Sequence, residues 1–435
     1  MNVEFPRGDE LRTVTDVDIE DYPRVAVAHR ERELDPIEDL DRATGEAVDN
    51  LPLADLPTGA EIGVTAGSRG IKDKPDVLRA AVAHLRAHDY EPFVLAAMGS
   101  HGGATADGQR GILAALGITE ESIGCEIRTS MEIEHVGHDD DGRDVYVATD
   151  ALEADGVIIA NRVKPHTDFS GPVESGLCKM AVVGLGKHHG AGELHMAGLA
   201  DDFSKAIIDR TEVILEAAPV IGGLALIEDA NERITHLEGV PADRIIERDQ
   251  ALLEIAYEEL PMLPVDQLDA LIVDEIGKDI SGTGMDTNVL GRYRFLGQPE
   301  PTGPDVSRVY ARRITPASHG NAIGLGLADL IHEELLTEAT FEDTYINIAT
   351  AGEPERAKIP FVVPDDRTAL ALLPAMVGCD DPGDLRLARI RNTLEPDHLI
   401  VTEPVARELA EREDVTVGEL TPLELTGGEL QPELL

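Results

Sequence analysis

Two stretches in the first third of the chain, EIGVTAGSRG at 61–70 and PFVLAAMGSHGGAT at 92–105, share one pattern and decide the fold. Each begins with a short apolar run that is typical of a buried strand and continues into a glycine-rich loop. Pro75–His88 and Asp107–Leu116 follow these loops and carry apolar residues at helical spacing. The repetition of strand, loop and helix predicts an α/β fold with a mostly parallel sheet.

The loops after the predicted strands carry reactive side chains. Arg69 lies in GSRG, His101 lies in GSHGG, and a third strand, DGVIIANRV at 155–163, runs directly towards His166. Ligands of parallel sheets bind at the carboxyl ends of the strands. The sequence therefore predicts that these three side chains converge at one edge of the sheet.

The stretch NRVKPHTDFSGPVESGLCKMAVVGLGKHHGAGELHMAG at 161–198 concentrates imidazoles and amines. The chain has only eight lysines among its 37 Lys and Arg residues, so arginine supplies most of its positive charge. Three of these lysines and four of the 14 histidines lie in this stretch: Lys164, Lys179, Lys187, His166, His188, His189 and His195. This concentration predicts that the chemistry of the protein is located here.

The rest of the chain predicts a second α/β domain. A proline-punctuated segment, PMLPVD at 261–266, is typical of a linker. We expect an N-terminal catalytic domain at 1–262, a C-terminal α/β domain at 263–400, an active-site cleft between the two domains, and a segment at 401–435 that packs back on the first domain. Further elements predicted in the second domain are strands at Val306–Ile314 and Thr344–Asn347 and helices at Leu325–Thr337 and Pro354–Ala357.

The composition limits the classes of partner. The chain of 435 residues has a formal net charge of -47, which repels nucleic acid and anionic membranes and indicates adaptation to high salt. Its three cysteines are far apart in sequence, which disfavours a disulfide framework and a structural zinc site. No apolar stretch is long enough to span a membrane, and we expect a cytoplasmic location.

The order Arg69, His101, His166, Lys179, His195 resembles the nickel-pincer-nucleotide-dependent racemases and epimerases, the family that includes lactate racemase. The strings KPHTDFSGPVESGLCKM and GLGKHHGAGELHMAG resemble a divergent subgroup of that family. The resemblance implies an isomerase that acts on a 2-hydroxy acid. It also implies a nickel-bearing pyridinium-3-thioamide-5-thiocarboxylate mononucleotide as cofactor, and cofactor-synthesis proteins as partners.

The resemblance also implies a role for each candidate residue. Lys179 matches the lysine that links to the cofactor, and His101 and His166 match the two acid/bases. His195 matches the nickel ligand, with His188 and His189 as alternatives. The remaining candidates are Gly99, Gly102, Gly103 and Lys187 for the cofactor, and Arg69 and Lys278 for the substrate, with Asp286, Asn288 or Arg292 as alternatives to Lys278.

The substrate and the class of protein remain open at this stage. The chain has no tryptophan, whereas lactate racemase has one in its pocket, so lactate is not the expected substrate. The loop SGTGMDTN at 281–288 is rich in hydroxyls and amides, which favours a polar 2-hydroxy acid. One alternative class is a zinc-dependent hydrolase with the metal on His188, His189 or His195. Another is a non-catalytic protein that binds a nucleotide or carries a cofactor.

Overall fold

The computed structural model describes residues 5–32, 35–68, 71–200 and 202–431. The strands are β1 (Val25–Arg30), β2 (Glu61–Ala66), β3 (Glu91–Ala96), β4 (Ile127–Arg128), β5 (Ile133–His138), β6 (Asp144–Ala148), β7 (Gly156–Arg162), β8 (Val220–Glu228), β9 (Ile234–Pro241), β10 (Gln267–Ile276), β11 (Asp305–Ile314), β12 (Leu330–His332), β13 (Phe361–Val363), β14 (Leu387–Ile390), β15 (His398–Thr402), β16 (Val415–Val417), β17 (Leu425–Thr426) and β18 (Glu429–Leu430).

The α-helices are α1 (Gly8–Leu11), α2 (Leu40–Asp49), α3 (Lys74–Ala87), α4 (Ala106–Ala115), α5 (Glu120–Ile123), α6 (Thr149–Leu152), α7 (Leu177–Lys179), α8 (Lys187–Ala200), α9 (Phe203–Ala217), α10 (Ile245–Glu259), α11 (Thr287–Leu290), α12 (Glu333–Glu338), α13 (Phe341–Ala351), α14 (Asp366–Val377) and α15 (Glu403–Leu409). A π-helix spans Met180–Leu185, and short 3₁₀ turns include Gly102–Ala104, Leu325–Leu327 and Pro354–Ala357.

The chain divides into two compact units. The first unit contains the described residues of Leu34–His166 and Ser170–Leu260. The second unit contains those of Met1–Glu33, Thr167–Phe169 and Pro261–Leu435. The chain therefore leaves the first unit after His166 for three residues and returns to it at Ser170.

The first unit is built on a six-stranded sheet with the order β4-β3-β2-β7-β8-β9. Its neighbouring strands are parallel, except that β8 and β9 are antiparallel. Ile62, Val64, Val94 and Ile158 are wholly buried on these strands, as expected where helices cover the sheet. The prediction of an α/β fold with mostly parallel strands is confirmed.

The second unit is built on an eight-stranded sheet with the order β13-β12-β11-β10-β14-β15-β1-β16. The strands from β13 to β14 are parallel, whereas β15, β1 and β16 add to one side as antiparallel strands. The prediction of a single N-terminal domain starting at residue 1 is wrong, because Ala26 and Ala28 on β1 are buried in the core of this unit. Residues 401–431, which were predicted as a separate segment, also belong to this unit.

Thr167 and Asp168 are hydrogen-bonded to residues of the second unit. The Arg356 guanidinium donates to Asp168 Oδ1 at 2.6 Å and to the Thr167 carbonyl at 2.9 Å. The Thr287 hydroxyl donates to the same carbonyl at 2.8 Å. These bonds anchor the segment that directly follows His166.

Two secondary-structure predictions in the second unit are wrong. Thr344–Asn347 was expected as a strand but lies inside α13. Leu325–Thr337 was expected as one helix but forms a 3₁₀ turn, then β12, then α12. The short apolar run at Leu330–His332 becomes a strand because it pairs with β11 on one side and β13 on the other. None of the helices within the described residues is long and apolar enough to cross a bilayer.

Candidate active site

The loops after β2 and β3 meet at the carboxyl-terminal edge of the first unit's sheet. The two strands are parallel and in register up to Ala66 and Ala96, so both loops start at the same level. Ser68 Oγ in the first loop lies 3.0 Å from His101 Nδ1 in the second. Arg69, the residue after Ser68, lies outside the described residues.

The hydrogen bonds of His101 define which ring nitrogen carries a proton. Its Nδ1 lies 2.9 Å from the Met98 carbonyl oxygen. A carbonyl can only accept, so the neutral imidazole carries its proton on Nδ1 and its lone pair on Nε2. In this tautomer Nε2 is the basic nitrogen of the ring.

The third predicted side chain, His166, lies in the loop that follows β7. This loop is closed where Lys164 and Ser175 pair in antiparallel fashion, with backbone N–H···O distances of 2.8 and 3.3 Å. Lys179 reaches back across the loop, and its Nζ contacts His166 Nε2. The structure thus brings together two residues that the sequence separates by a glycine- and proline-containing loop.

Glu174 organises the interior of this loop. Its carboxylate accepts hydrogen bonds from the His166 backbone N–H at 2.5 Å, the Gly171 N–H at 3.1 Å and the Tyr257 hydroxyl at 2.9 Å. Burial raises the pKa of the Glu174 carboxyl, and these hydrogen bonds oppose the rise without cancelling it. The buried carboxylate therefore fixes the backbone at His166.

Asp249 holds the helix that carries Lys179. Its two carboxylate oxygens accept from the backbone N–H groups of Leu177 and Cys178 at 2.9 and 3.0 Å, at the start of α7. Burial raises the pKa of Asp249, partly offset by these N–H groups. Gly176 makes the approach possible, because a Cβ there would lie 2.1 Å from Asp249 Oδ1.

The π-helix that follows Lys179 packs on the loops after β2 and β3. A Cβ on Gly67 would lie 2.8 Å from Met180 Cε, and a Cβ on Gly184 would lie 3.1 Å from Ala97 Cβ. Because Gly67 precedes Ser68 and Met180 follows Lys179, the pairs Ser68–His101 and His166–Lys179 lie at the same edge of the sheet. We call these four residues the strand-end cluster. π-helical turns occur frequently at functional sites.

The glycine-rich segment GLGKHHGAG, which contains the cofactor candidate Lys187, is helical rather than a loop. Its glycines allow close packing instead: a Cβ on Gly186 would lie 2.3 Å from the Val182 carbonyl oxygen and 3.2 Å from that of Tyr146. Lys187 is wholly buried, and its Nζ donates to the Ala96 carbonyl at the end of β3. The amine of Lys187 therefore links α8 to the end of β3.

The glycines of the His101 loop serve two different purposes. A Cβ on Gly99 would lie 3.0 Å from Val183 Cγ1, and one on Gly102 would lie 2.5 Å from the Gly108 backbone, so both allow the chain to pack on itself. Gly103, with φ of +65°, has no heavy atom of the described residues within 4 Å of its Cβ position. Of the three glycines, Gly103 is therefore the one beside which a bound cofactor would find open space.

The three candidate nickel ligands lie on α8. His188 and His189 are exposed, and their rings lie 5.5 Å apart. The backbone of His195 belongs to the same helix, but its side chain is outside the described part of the chain. The choice among the three therefore remains a prediction.

The candidates for a second substrate contact lie in the second unit. Lys278 Nζ donates to Asn347 Oδ1 at 2.6 Å. Among its alternatives, Asp286 caps α11 and Asn288 accepts from the Tyr293 hydroxyl at 3.0 Å. Arg292 is buried and pairs with Asp329 at 2.7 Å, so its charge is already neutralised.

Sequence reasoning missed a buried lysine beside the strand-end cluster. Lys74 begins α3, is 2% exposed, and its Nζ would lie 3.5 Å from a Cβ on Gly67. Burial and, to a smaller extent, the nearby Arg162 lower the pKa of Lys74 to about 8, and Glu228 opposes the shift. A lysine at the first position of a helix gives no sequence signal of burial.

Replacing Lys74 with methionine is expected to raise the free energy of unfolding at pH 7 by on the order of 3 kcal/mol, because it removes the cost of a buried ammonium. The pKa of Lys74 falls from its ordinary 10.5 to about 8, so the unfolded chain binds more protons between these values. The free energy of unfolding of the wild type should therefore rise between pH 8 and 10.5. In the Lys74→Met variant this rise should be smaller. Urea unfolding at several pH values measures both effects.

The exposed Lys72, two residues away, provides the matched control. Lys72→Met should leave both the stability and its pH dependence unchanged. A Lys74→Met variant whose stability still rises as steeply as that of the wild type between pH 8 and 10.5 would contradict the assignment. Lys187, whose pKa burial also lowers to about 8, should account for the rise that remains.

The fold and the strand-end cluster together define an α/β protein with a nitrogen-rich site at the carboxyl ends of parallel strands. Residues 29–203, which include the whole cluster, match the family model of the lactate racemase N-terminal domain. Over these residues the chain is therefore similar to the lactate racemase N-terminal domain, in agreement with the resemblance noted in the sequence.

A solved structure supports the fold. The chain resembles the lactate racemase apoprotein from Thermoanaerobacterium thermosaccharolyticum with a TM-score of 0.51 and 13% sequence identity. The match covers 84% of this chain and 94% of that one. No curated protein matches the sequence. The two proteins therefore share a fold. At this low sequence identity, a shared fold does not establish a shared activity.

Proposed function

We propose that this chain is a nickel-pincer-nucleotide-dependent racemase or epimerase of a 2-hydroxy acid other than lactate. The contact between Lys179 Nζ and His166 Nε2, at the sheet edge where His101 also lies, carries the proposal. An amine and two imidazoles at one strand edge are the groups that cofactor attachment and two-sided proton transfer require. The match to the lactate racemase N-terminal domain over residues 29–203 supports it.

The two histidines would act as acid and base on opposite faces of the substrate. Inverting a carbinol carbon requires one group to take the hydroxyl proton and another to return a proton from the other side. An imidazole exchanges protons near neutral pH and so performs either task. The Met98 carbonyl holds His101 with its lone pair on Nε2, and the Glu174 carboxylate holds the backbone of His166.

Lys179 would hold the cofactor. Its primary amine is a nucleophile that can be acylated, which a guanidinium is not. Because Nζ contacts His166, a group bound to this nitrogen lies beside one of the two acid/bases. When bound, the cofactor supplies a carbon that accepts and returns the hydride of the substrate's α-carbon.

The remaining roles follow from side-chain chemistry. Arg69 would bind the substrate carboxylate through a bidentate guanidinium contact, since this cation keeps its charge at all working pH values. His195 would ligate nickel through its imidazole, which suits this metal. Gly103 would leave room for the cofactor next to His101.

The zinc-hydrolase alternative has less support. Three groups of metal-ligating side chains within mutual reach occur among the described residues, and none of them contains His188 or His189. We therefore give preference to the racemase.

The proposal predicts a covalent adduct and stereochemical inversion with retention of the α-hydrogen. Protein produced together with cofactor-synthesis proteins should carry one nickel per chain and a mass increment on Lys179. With α-deuterated glycerate, malate or gluconate, the epimer that forms should keep its deuterium, because the α-hydrogen returns as hydride to the same carbon. Intact-mass spectrometry, metal analysis and NMR measure these three properties.

Lys179→Arg should lose the adduct, the nickel and the activity, whereas the matched control Lys205→Arg, at an exposed lysine of α9, should keep all three. Epimerisation with exchange of the α-deuterium for solvent hydrogen would contradict hydride transfer. Zinc without nickel, together with ester or amide hydrolysis, would favour the hydrolase.

A further inference from the structure

The hairpin of β5 and β6 carries three metal-ligating side chains on one face. His138 is paired directly across the strands with Asp144, and His135 with Tyr146. The rings of His135 and His138 lie 4.8 Å apart in an edge-to-face arrangement. The hairpin belongs to the first unit but contributes no residue to the strand-end cluster.

A β-bulge places the two histidines together. Side chains alternate between the faces of a regular strand, so residues three apart normally point in opposite directions. The register of β5 shifts between His135 and Gly137, and the extra residue returns His138 to the face of His135. Gly137, with φ of +157°, lies at the bulge, where a Cβ would be 3.0 Å from Val213 Cγ1 on α9.

Two of the three distances between ligand atoms are close to those that a tetrahedral ion requires, and all three ligand atoms lie within 4.8 Å of one another. His135 Nε2 and His138 Nε2 each lie 3.2 Å from the same oxygen, Asp144 Oδ1. Two atoms bound about 2.1 Å from a tetrahedral ion are about 3.4 Å apart. The Tyr146 hydroxyl donates to the other oxygen, Asp144 Oδ2, at 3.1 Å, which orients Oδ1 towards the imidazoles.

We propose that His135, His138 and Asp144 form a second metal site, which binds Zn²⁺ or a similar late first-row divalent cation and is completed by water. Two imidazoles and one carboxylate suit such ions better than Ca²⁺ or Mg²⁺, which prefer oxygen ligands. The exposed Asp140 and Asp141 in the turn of the same hairpin, on a chain of net charge -47, raise the local concentration of cations. None of these three residues has a role in the proposed racemase activity.

Two other histidine and carboxylate groups within the described residues are less suited to a metal. In the group of Asp49, His84 and His88, the Nδ1 atom of His88 is already bonded to the His84 carbonyl oxygen at 2.9 Å. In the group of His332, Asp366 and Glu429, the Asp366 carboxylate is bound through both oxygens by Arg312. The first of these groups serves as a matched control.

Titration of the untagged chain with Zn²⁺, against a fluorescent chelator, tests the proposal. The wild type should bind one equivalent, and His135→Gln, His138→Gln and Asp144→Asn should each weaken this binding at least about tenfold, since even the loss of an outer partner costs that much. His84→Gln and His88→Gln should bind like the wild type. Absence of binding to the wild type, or a loss that follows the His84 and His88 variants instead, would overturn the proposal.

A spectroscopic measurement keeps the test decisive if a hairpin variant fails to fold. The electron paramagnetic resonance spectrum of Cu²⁺ on the His84→Gln/His88→Gln chain should show coupling to two imidazole nitrogens. A spectrum without nitrogen coupling would overturn the assignment of His135 and His138. Because the chain is produced without cofactor, the result does not depend on whether the racemase proposal holds.

Discussion

Replacing His166 with glutamine is expected to lower the rate of net racemisation by about 10²–10⁴-fold, and replacing His101 with glutamine by a similar factor. Net inversion requires one proton transfer on each face of the substrate, so the loss of either imidazole stops it. Glutamine keeps an amide of similar size but cannot exchange a proton near neutral pH.

The half-reactions distinguish the two histidines. Each variant retains one base and should still oxidise one enantiomer of the substrate to the 2-oxo acid, and the two variants should prefer opposite enantiomers. Chemical quench followed by derivatisation of the 2-oxo acid measures this preference in a single turnover. Nickel content should remain that of the wild type in both variants, because neither residue is assigned to hold the cofactor.

His236, a histidine of β9 in the same unit that pairs with Glu238, provides the control. His236→Gln should racemise at the wild-type rate. If both active-site variants oxidise the same enantiomer, the two-base assignment is wrong. If both racemise like the wild type while still holding nickel, the chain is a cofactor carrier rather than an enzyme.

Replacing Asp249 with alanine is expected to lower the free energy of unfolding by about 2–4 kcal/mol and to displace Lys179. Two buried N–H groups, those of Leu177 and Cys178, lose the carboxylate that accepts their hydrogen bonds at the start of α7. Without this cap, the helix end that presents Lys179 to His166 loses its anchor. Urea unfolding measures the stability, and the yield of adduct on Lys179 measures the position of its amine.

Gly176→Ala tests the same contact from the other side. The added methyl would lie 2.1 Å from Asp249 Oδ1, so the carboxylate must move away from the two N–H groups. Because both variants disrupt one contact, the double variant should be far less destabilised than the sum of the single ones. Strictly additive losses would show that Gly176 and Asp249 act independently, and Asp249→Asn, which keeps one acceptor oxygen, should lose less stability than Asp249→Ala.

The sequence predicted at which edge of the sheet the candidate site lies, because the signal for this edge comes from neighbouring residues in the sequence. A parallel strand followed by a glycine-rich loop places the next polar side chain at the carboxyl end, as observed for His101 and His166. The side chains that support them could not be found in this way. Asp249 and Tyr257 lie on α10, more than 70 residues beyond the loop they stabilise, and only the fold brings them there.

The failed predictions have a common physical cause. The glycines of GLGKHHGAG favour a loop in isolation, yet Gly186 and Gly190 allow the helix to pack against Val182 and the hairpin more closely than a side chain would permit. Thr344–Asn347 has the composition of a strand but continues a helix that begins at Phe341. In both cases tertiary packing overrides local propensity.

The excursion of the chain at Thr167–Phe169 means that neither unit is a self-contained module. A fragment cut at the linker would retain the tripeptide next to His166 while discarding Arg356 and Thr287, the groups to which the tripeptide is bonded. The same cut would separate β1 from β15 and β16. A chimera of two related proteins that exchanges the second unit would thus have to replace three separate segments of the chain at once.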